Sequence, residues 1–189
     1  MLSYSQTDDC FHIDNGIQDG HIKAFEKELE KEALKYRQEH FDFGEQVING
    51  SELFDKISSY SEWLEKVIAN ASLKTVDPNW VLTDTFFAVR VSDNKIVGIV
   101  DLRYRLNDFL KDFGNCGYSV RPSERRKGYA TEILRQICLV AKEHGLKQLQ
   151  LSVEKDNVAS IKTIEKNGGE FSRSFIFENE EAYVYLLRL

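Results

Sequence analysis

The stretch RPSERRKGYATEIL, residues 121–134, constrains the fold of this 189-residue chain more than any other feature. Arg121-Pro122 ends the extended segment NCGYSV before it, because proline cannot donate to a β-ladder and holds the preceding residue extended. Helical periodicity then continues to Gly145, a natural C-terminal cap, through the apolar residues Ala130, Ile133, Leu134, Ile137, Cys138 and Ala141. The sequence therefore predicts a strand, a basic turn and an amphipathic helix, in this order.

The first third of the chain is predicted to be helical. Apolar residues recur at helical spacing from His21 to about Gln38. A second helical stripe runs from Leu53 to Ile68 and is interrupted by two serines. Stripes of this kind usually pack against a core with their charged faces outward, so we expect these helices to be structural elements.

Strands dominate the rest of the chain. Residues 83–105 are rich in β-branched and aromatic residues around the turn SDNK and predict a hairpin. The central helix is followed by a strand at 149–153, a short helix from the capping Asn157 to about Lys166, and two last strands, EFSRSFIF and AYVYLLRL. A strand, helix, strand order implies a parallel pair, whereas hairpins are antiparallel. The predicted fold class is α+β, with a mixed, mostly antiparallel sheet, one parallel strand pair and flanking helices.

Size and charge limit the functions open to the chain. With 42% hydrophobic residues, the length suits one globular domain spanning 1–189. The formal net charge of −6 argues against nucleic-acid or membrane partners, and the apolar runs fall far short of the ~20 residues of a membrane helix. The start MLSYSQTDDC does not resemble a secretory signal, so we expect a cytoplasmic protein. Three cysteines and four histidines lack metal-like spacing, which predicts reduced thiols, surface histidines and no metal.

Four basic side chains lie within seven residues just ahead of the central helix: Arg121, Arg125, Arg126 and Lys127. A helix N-terminus carries about half a positive charge and N–H groups without internal partners. Gly128 lets a ligand approach the backbone closely, so this turn is suited to bind a phosphate. From the charges alone, a solvated basic turn that only caps the helix is the simpler interpretation. The GxxxxGK[ST] and GxGxxG motifs of nucleotide-binding loops are absent from the stretch.

The motif Arg-x-x-Gly-x-Ala is formed here by Arg125, Gly128 and Ala130, and it follows YSVRP. About thirty residues later come Asn157 and Ser160, and then IEKNGGEF. In this order and spacing, the second half of the chain resembles the GNAT superfamily of acyl-CoA-dependent N-acyltransferases. Within the superfamily it is similar to bacterial GNAT-family acetyltransferases.

The resemblance implies acetyl-CoA as co-substrate, with no metal. It implies a helical N-terminal part at residues 1–80 and a cofactor-binding core at residues 81–189, in which the parallel strands splay apart. The pantetheine arm of the cofactor would pair with the edge of the first of these strands, and the diphosphate would bind N–H groups in the basic turn. The implied cofactor-binding residues are Tyr118, Ser119, Val120, Arg125, Arg126, Lys127, Gly128, Tyr129, Ala130, Thr131, Asn157 and Ser160.

The catalytic side chains depart from the pattern of the superfamily. Related acyltransferases often carry a glutamate at the position of Asn115 and a tyrosine at that of Ile164. Asn115 is a catalytic candidate because asparagine can hold a water molecule, but it cannot take a proton. Glu154 is therefore the second catalytic candidate, as the alternative base. Asp101 is a further candidate base.

We expect the chain to move an acetyl group from acetyl-CoA to a primary amine of a small molecule or of a protein N-terminus, by direct attack through a tetrahedral intermediate. A catalytically weak acyl-CoA-binding sensor or regulatory module of the same fold is the alternative, and the missing glutamate and tyrosine motivate it. A phosphate-binding interaction domain without thioester chemistry is the third hypothesis. Exposed edge strands could support a homodimer.

Overall fold

The structure, a computed structural model, describes residues 11–14 and 22–189. In these ranges the strands are β1 (Phe11–Asp14), β2 (Thr83–Arg90), β3 (Lys95–Arg103), β4 (Tyr118–Val120), β5 (Gln148–Glu154), β6 (Glu170–Phe177) and β7 (Glu180–Arg188). The helices are α1 (Ile22–Asp42), α2 (Tyr60–Asn70), α3 (Tyr129–Glu143) and α4 (Val158–Lys166), with a 3₁₀ turn at Pro122–Glu124. None of the helices described is long and apolar enough to cross a membrane.

The strands form two antiparallel sheets. The first has the order β1-β2-β3-β4 and the second the order β5-β7-β6. The predicted α+β class with mostly antiparallel strands is confirmed. The single mixed sheet is corrected to two sheets, because β4 and β5 share no ladder and every ladder between the named strands is antiparallel. The predicted parallel pair is therefore not shown by backbone pairing among the described residues.

Helix α3 holds the two sheets together. Its apolar stripe, which includes the fully buried Ile133, Leu134 and Ile137, shares one hydrophobic cluster with Val100 of β3 and Leu151 of β5. Burial of such side chains stabilises a fold by about 1.5–3 kcal/mol each. The helix thus fixes how β4, at the edge of the first sheet, lies relative to β5.

Helices α1 and α2 cover the opposite face of the first sheet. Tyr36 of α1, Trp63 of α2 and the loop residue Phe54 pack with Phe87 of β2 and Ile99 of β3. Both faces of β3 are therefore buried, which explains why the run IVGIV at 96–100 is apolar without alternation.

Three predicted elements have different limits in the structure. Helix α1 runs beyond its predicted end, to Asp42. Glu52 and Leu53 have φ angles of 49° and 68°, which an α-helix does not contain, so the second helix begins only after the capping Ser59. Of the predicted strand NCGYSV, only Tyr118–Val120 enters a ladder. Asn115, at the start of that segment, joins the two sheets instead.

Candidate active site

The outer edge of β4 faces a gap between the two sheets. In the ladder with β3, Arg121 N donates to Val97 O at 2.9 Å. Hydrogen-bonded and non-hydrogen-bonded pairs alternate along an antiparallel ladder. The backbone N–H and C=O groups of Tyr118 and Val120 therefore point away from β3, into the gap.

The outer edge of β5 faces the same gap. In the register of β5 with β7, Lys155 N donates to Glu181 O at 3.0 Å. By the same alternation, the backbone groups of Ser152 and Glu154 point away from β7. Residues of both strands line one cavity of about 1090 Å³. Two rows of backbone donors and acceptors thus line this cavity from the two sheets.

Asn115 closes one end of the gap. Its backbone N donates to Gln150 O at 2.7 Å, and its Oδ1 accepts from Gln150 N at 2.9 Å. Its Nδ2 donates to Arg103 O at 2.9 Å. Both polar atoms of the side chain are engaged by backbone groups of the two sheets, and Asn115 does not line the cavity. Asn115, a catalytic candidate from the sequence, therefore links the two sheets in the structure.

The cavity gathers nearly all of the predicted cofactor-binding residues. Lys127 is the exception, since it lies outside the lining. Asn157, on the wall opposite β4, caps α4 by accepting from Ser160 N at 3.1 Å. The predicted residues that line the cavity are Tyr118, Ser119, Val120, Arg125, Arg126, Gly128, Tyr129, Ala130, Thr131, Asn157 and Ser160.

Helix α3 begins at the wall of this cavity. Its N-cap is Gly128, which has a φ angle of 88° and no side chain with which to cap the helix. A Cβ added at Gly128 would meet no atom within 4 Å. The first turn of a helix presents N–H groups without partners in the helix. Open space in front of these donors suits an anionic ligand.

Most of the basic side chains around this turn are held by carboxylates of the chain. Arg121 is buried and pairs with Glu32 at 2.8 Å. Arg125 forms two contacts with Glu45, at 2.6 and 2.7 Å, and its Nε donates to Val120 O at 3.1 Å. The basic cluster is therefore largely a set of structural ion pairs, which the charge pattern alone did not predict.

His40 corrects the prediction of surface histidines. Its side chain is fully buried, and its Nδ1 lies 2.7 Å from Glu45 Oε2. Its ring packs edge-on against Tyr36, with the ring centroids 4.7 Å apart. The helical first third thus supports the carboxylate that holds Arg125.

Glu124 is a buried carboxylate that joins three cations. Its Oε2 accepts from Arg90 Nη1 at 2.9 Å and from Lys127 Nζ at 2.8 Å, and its Oε1 accepts from Lys95 Nζ at 2.7 Å. Burial by itself would raise the pKa of Glu124, but the hydrogen bonds with Lys127 and Lys95, their charges and Arg90 outweigh it and lower the pKa to about 2.

We expect the substitution Glu124→Gln to lower the free energy of unfolding by roughly 2–3 kcal/mol near pH 6. A carboxylate with a lowered native pKa stabilises the fold where the unfolded group is ionised. This contribution is lost as the pH falls through the native pKa of about 2. Urea unfolding of both proteins at pH 6 and pH 3 measures the difference, which should shrink at the lower pH. An equal difference at both pH values would contradict the role of this charge.

The two candidate bases lie in different surroundings. Asp101 is fully buried, accepts a hydrogen bond from Gly117 N at 2.6 Å and pairs with Arg103. Burial raises the pKa of Asp101, although the charge of Arg103 opposes this shift. It does not line the cavity. Glu154 is exposed and lines the cavity, and no ion pair holds its carboxylate within residues 29–189. The geometry therefore favours Glu154 as the base.

A tyrosine hydroxyl does lie in the cavity, although not at the position that the superfamily uses. Ile164 stands at that position and is fully buried. Tyr118 OH lies 2.8 Å from Ser160 Oγ, and both residues line the cavity. Burial raises the pKa of Tyr118 to about 12, so its hydroxyl keeps its proton at neutral pH. The sequence pointed to Tyr118 only for its backbone.

Further residues that line the cavity were not singled out by the sequence. They come from the loop after α1, from β3, from the segment before β4 and from β6. Phe175 and Phe177 are two residues apart on one strand, so their shared face could have been recognised. The residues missed include Glu45, Val47, Asn49, Arg103, Phe113, Phe175 and Phe177.

The fold thus has two antiparallel sheets that meet along one gap, and a helix N-terminus lies at the wall of this gap. A family model described as an acetyltransferase (GNAT) domain matches residues 53–170, more than half of the chain. The chain belongs to this family and is a GNAT-family acetyltransferase. A comparison with curated protein sequences found no match.

Solved structures share the fold at low sequence identity. A protein described as a GNAT-family acetyltransferase from Bordetella pertussis aligns with a TM-score of 0.63 and 11% identity, over 96% of this chain and 97% of that one. A protein described as an acetyltransferase from Acinetobacter baylyi aligns with a TM-score of 0.60 and 16% identity, over 95% of this chain and 93% of that one. The Salmonella typhimurium protein yncA, with its cofactor acetyl-CoA, aligns with a TM-score of 0.60 and 14% identity, over 85% and 89%. At these identities the likeness shows the fold.

Proposed function

We propose that acetyl-CoA binds in the gap between β4 and β5, which act as the splayed parallel pair of the fold. The observation that carries this proposal is the pair of backbone edges at Tyr118, Val120, Ser152 and Glu154 on opposite sides of one cavity. An extended pantetheine arm carries amide groups that can pair with the edge of β4. The solved yncA structure, with its acetyl-CoA, supports the choice of donor.

The diphosphate of the cofactor binds at the N-terminus of α3. The N–H groups of the first turn, the open space at Gly128 and the exposed side chain of Arg126 support this position. Lys162 and Lys166 of α4 also line the cavity and add positive charge on the same side. These local charges act on the ligand despite the net charge of −6, because charges farther than ~8 Å are screened at physiological salt.

The acetyl group passes directly to a primary amine. The amine nitrogen attacks the thioester carbonyl and forms the carbon–nitrogen bond of a tetrahedral intermediate. The carbon–sulfur bond then breaks, and coenzyme A leaves as the thiolate. The N–H of Val120 stabilises the oxyanion of the tetrahedral intermediate. Glu154 takes a proton from the amine, and the Tyr118 hydroxyl gives a proton to the thiolate of coenzyme A. Asn115 holds the two sheets at the closed end of the gap.

The helical N-terminal part supplies one wall of the acceptor side of the site. Glu45, Val47 and Asn49 follow α1 and line the cavity. Gly50 touches the segment before β4 so closely that a Cβ would lie 2.1 Å from Gly117 O. The acceptor is a primary amine of a small molecule or a protein N-terminus, and these residues help to select it.

Calorimetry with acetyl-CoA and a thiol-release assay over a panel of primary amines test this function. We expect acetyl-CoA to bind at micromolar or lower concentration and at least one amine to release coenzyme A faster than buffer alone. Binding without release from any amine would replace the enzyme with the acyl-CoA sensor. Absence of acetyl-CoA binding would overturn the proposal and favour the hypothesis of a phosphate-binding interaction domain.

A further inference from the structure

Beyond the cofactor gap, the cavity is lined by three aromatic rings. We infer that these rings form the acceptor subsite and that the acceptor is a small monoamine with an aromatic or similarly flat apolar body. The inference rests on the proposed function, since it names the substrate class of that site. It depends on Phe113, Phe175 and Phe177 together with Glu154, all of which line the cavity.

The rings come from two distant parts of the chain and meet at right angles. The centroids of Phe113 and Phe177 are 4.9 Å apart with an interplanar angle of 87°. Those of Phe113 and Phe175 are 6.2 Å apart with an angle of 90°. Phe177 keeps 46% of its surface exposed. Edge-to-face rings of this kind can accept a further ring. Arg173 already lies over the Phe175 ring, 5.9 Å from its centroid, and Phe109 packs against Phe113 with centroids 5.2 Å apart, so Phe177 is the most exposed of the three rings.

The loop that carries Phe113 is fixed to both neighbouring strands. Ser152 Oγ of β5 donates to Phe113 O at 2.9 Å, and Gln150 Nε2 donates to Lys111 O at 2.6 Å. Arg173 of β6 pairs with Asp112 at 2.7 Å. The backbone that carries the ring is therefore held in place before any substrate arrives, which lowers the entropic cost of binding.

Glu154 lies on the same face of the second sheet as these rings. In the register of the sheet, Glu154 is opposite Ala182 and Ala182 is opposite Phe175. Directly opposed side chains point to the same face. Val153, next to Glu154, points to the other face and is buried in the α3 cluster. An amine held at Glu154 therefore places its body over the aromatic rings.

Five basic residues line the cavity, so an ammonium group depends on a carboxylate that is not already paired. Three carboxylates line it, and Glu45 and Glu124 are paired with basic side chains of the chain. Glu154 alone of these three has no ion pair among the described residues. One free carboxylate beside aromatic faces favours a monoamine with a ring over a polyamine.

Initial rates with 2-phenylethylamine, ethanolamine, spermidine and a short peptide with a free N-terminus test this inference. We expect kcat/KM for 2-phenylethylamine to exceed that for ethanolamine by about tenfold or more. Phe175→Ala should lower kcat/KM for 2-phenylethylamine about tenfold, mainly through KM, and leave the acetyl-CoA affinity unchanged.

Phe171→Ala is the matched control, because Phe171 is an exposed aromatic residue of the same strand that does not line the cavity. This substitution should leave kcat/KM unchanged for both 2-phenylethylamine and ethanolamine. Equal rates with 2-phenylethylamine and ethanolamine, or a preference for spermidine or the peptide, would overturn the inference while the acetyltransferase function stands. Loss of acetyl-CoA binding or of all acetyl transfer would instead count against the proposed function.

Discussion

Acetyl-CoA affinity is expected to fall at least ~100-fold, about 2.7 kcal/mol, when Gly128 is replaced by leucine. The reason is steric and electrostatic at once. The new Cβ and the side chain beyond it would occupy the open space in front of the first turn of α3, where we place the diphosphate. The N–H groups would then lose their anion. Calorimetric titration of the variant with acetyl-CoA and coenzyme A measures the change.

Gly145→Leu is the matched control for this variant. Gly145 lies at the other end of the same helix, its φ angle is 85° against 88° for Gly128, and a Cβ there also meets no atom within 4 Å. Each substitution should lower the free energy of unfolding by roughly 1–2 kcal/mol, because a left-handed backbone is strained for leucine. Only Gly128→Leu should lose the cofactor. Equal affinities in the two variants would refute the diphosphate site.

The second large effect is expected for Glu154→Gln, which should lower kcat about 100-fold with little change in acetyl-CoA affinity. Glutamine keeps the size and polarity of the side chain but cannot take the proton of the amine. The deficit should shrink as the pH rises, because a larger share of the acceptor is then already neutral. Thiol release across a pH series, with saturating acetyl-CoA, measures both effects.

Glu181→Gln provides the control for Glu154. Glu181 lies one residue from Ala182, on the opposite face of the same sheet, where it pairs with the exposed Lys155 at 2.7 Å. An exposed pair of this kind contributes little to stability, and Glu181 does not line the cavity, so this variant should keep its rate. If Glu154→Gln retained the wild-type kcat at every pH, the base would have to be another group.

Local patterns in the sequence predicted the elements that position the site. The apolar periodicity after Gly128 gave α3, the alternation at 149–153 gave β5, and Asn157 caps α4 as its position suggested. These features depend on residues close together in the chain. Pairing between sheets does not, and this is why the single mixed sheet was wrong while the strands themselves were largely right.

The partners of the basic turn could not be read from the sequence. Glu32 and Glu45 lie about 80 or more residues from Arg121 and Arg125 in the chain, and only the packing of α1 on the first sheet brings them together. The same reason hid Phe113, which reaches Phe175 and Phe177 only across the second sheet. The catalytic roles of Glu154 and Tyr118 stay predictions.

Because Glu45 already binds Arg125, an anionic ligand has to compete with this carboxylate for the guanidinium. All three nitrogen positions of that guanidinium are in use, two on the carboxylate and one on a backbone oxygen of β4. A phosphate that claims this guanidinium competes with an internal anion, so the observed affinity is a difference between two associations. The carboxylate so released belongs to the segment that borders the acceptor side. If the diphosphate takes Arg125 from Glu45, donor binding would thereby change the segment at residues 45–49 that lines the same cavity.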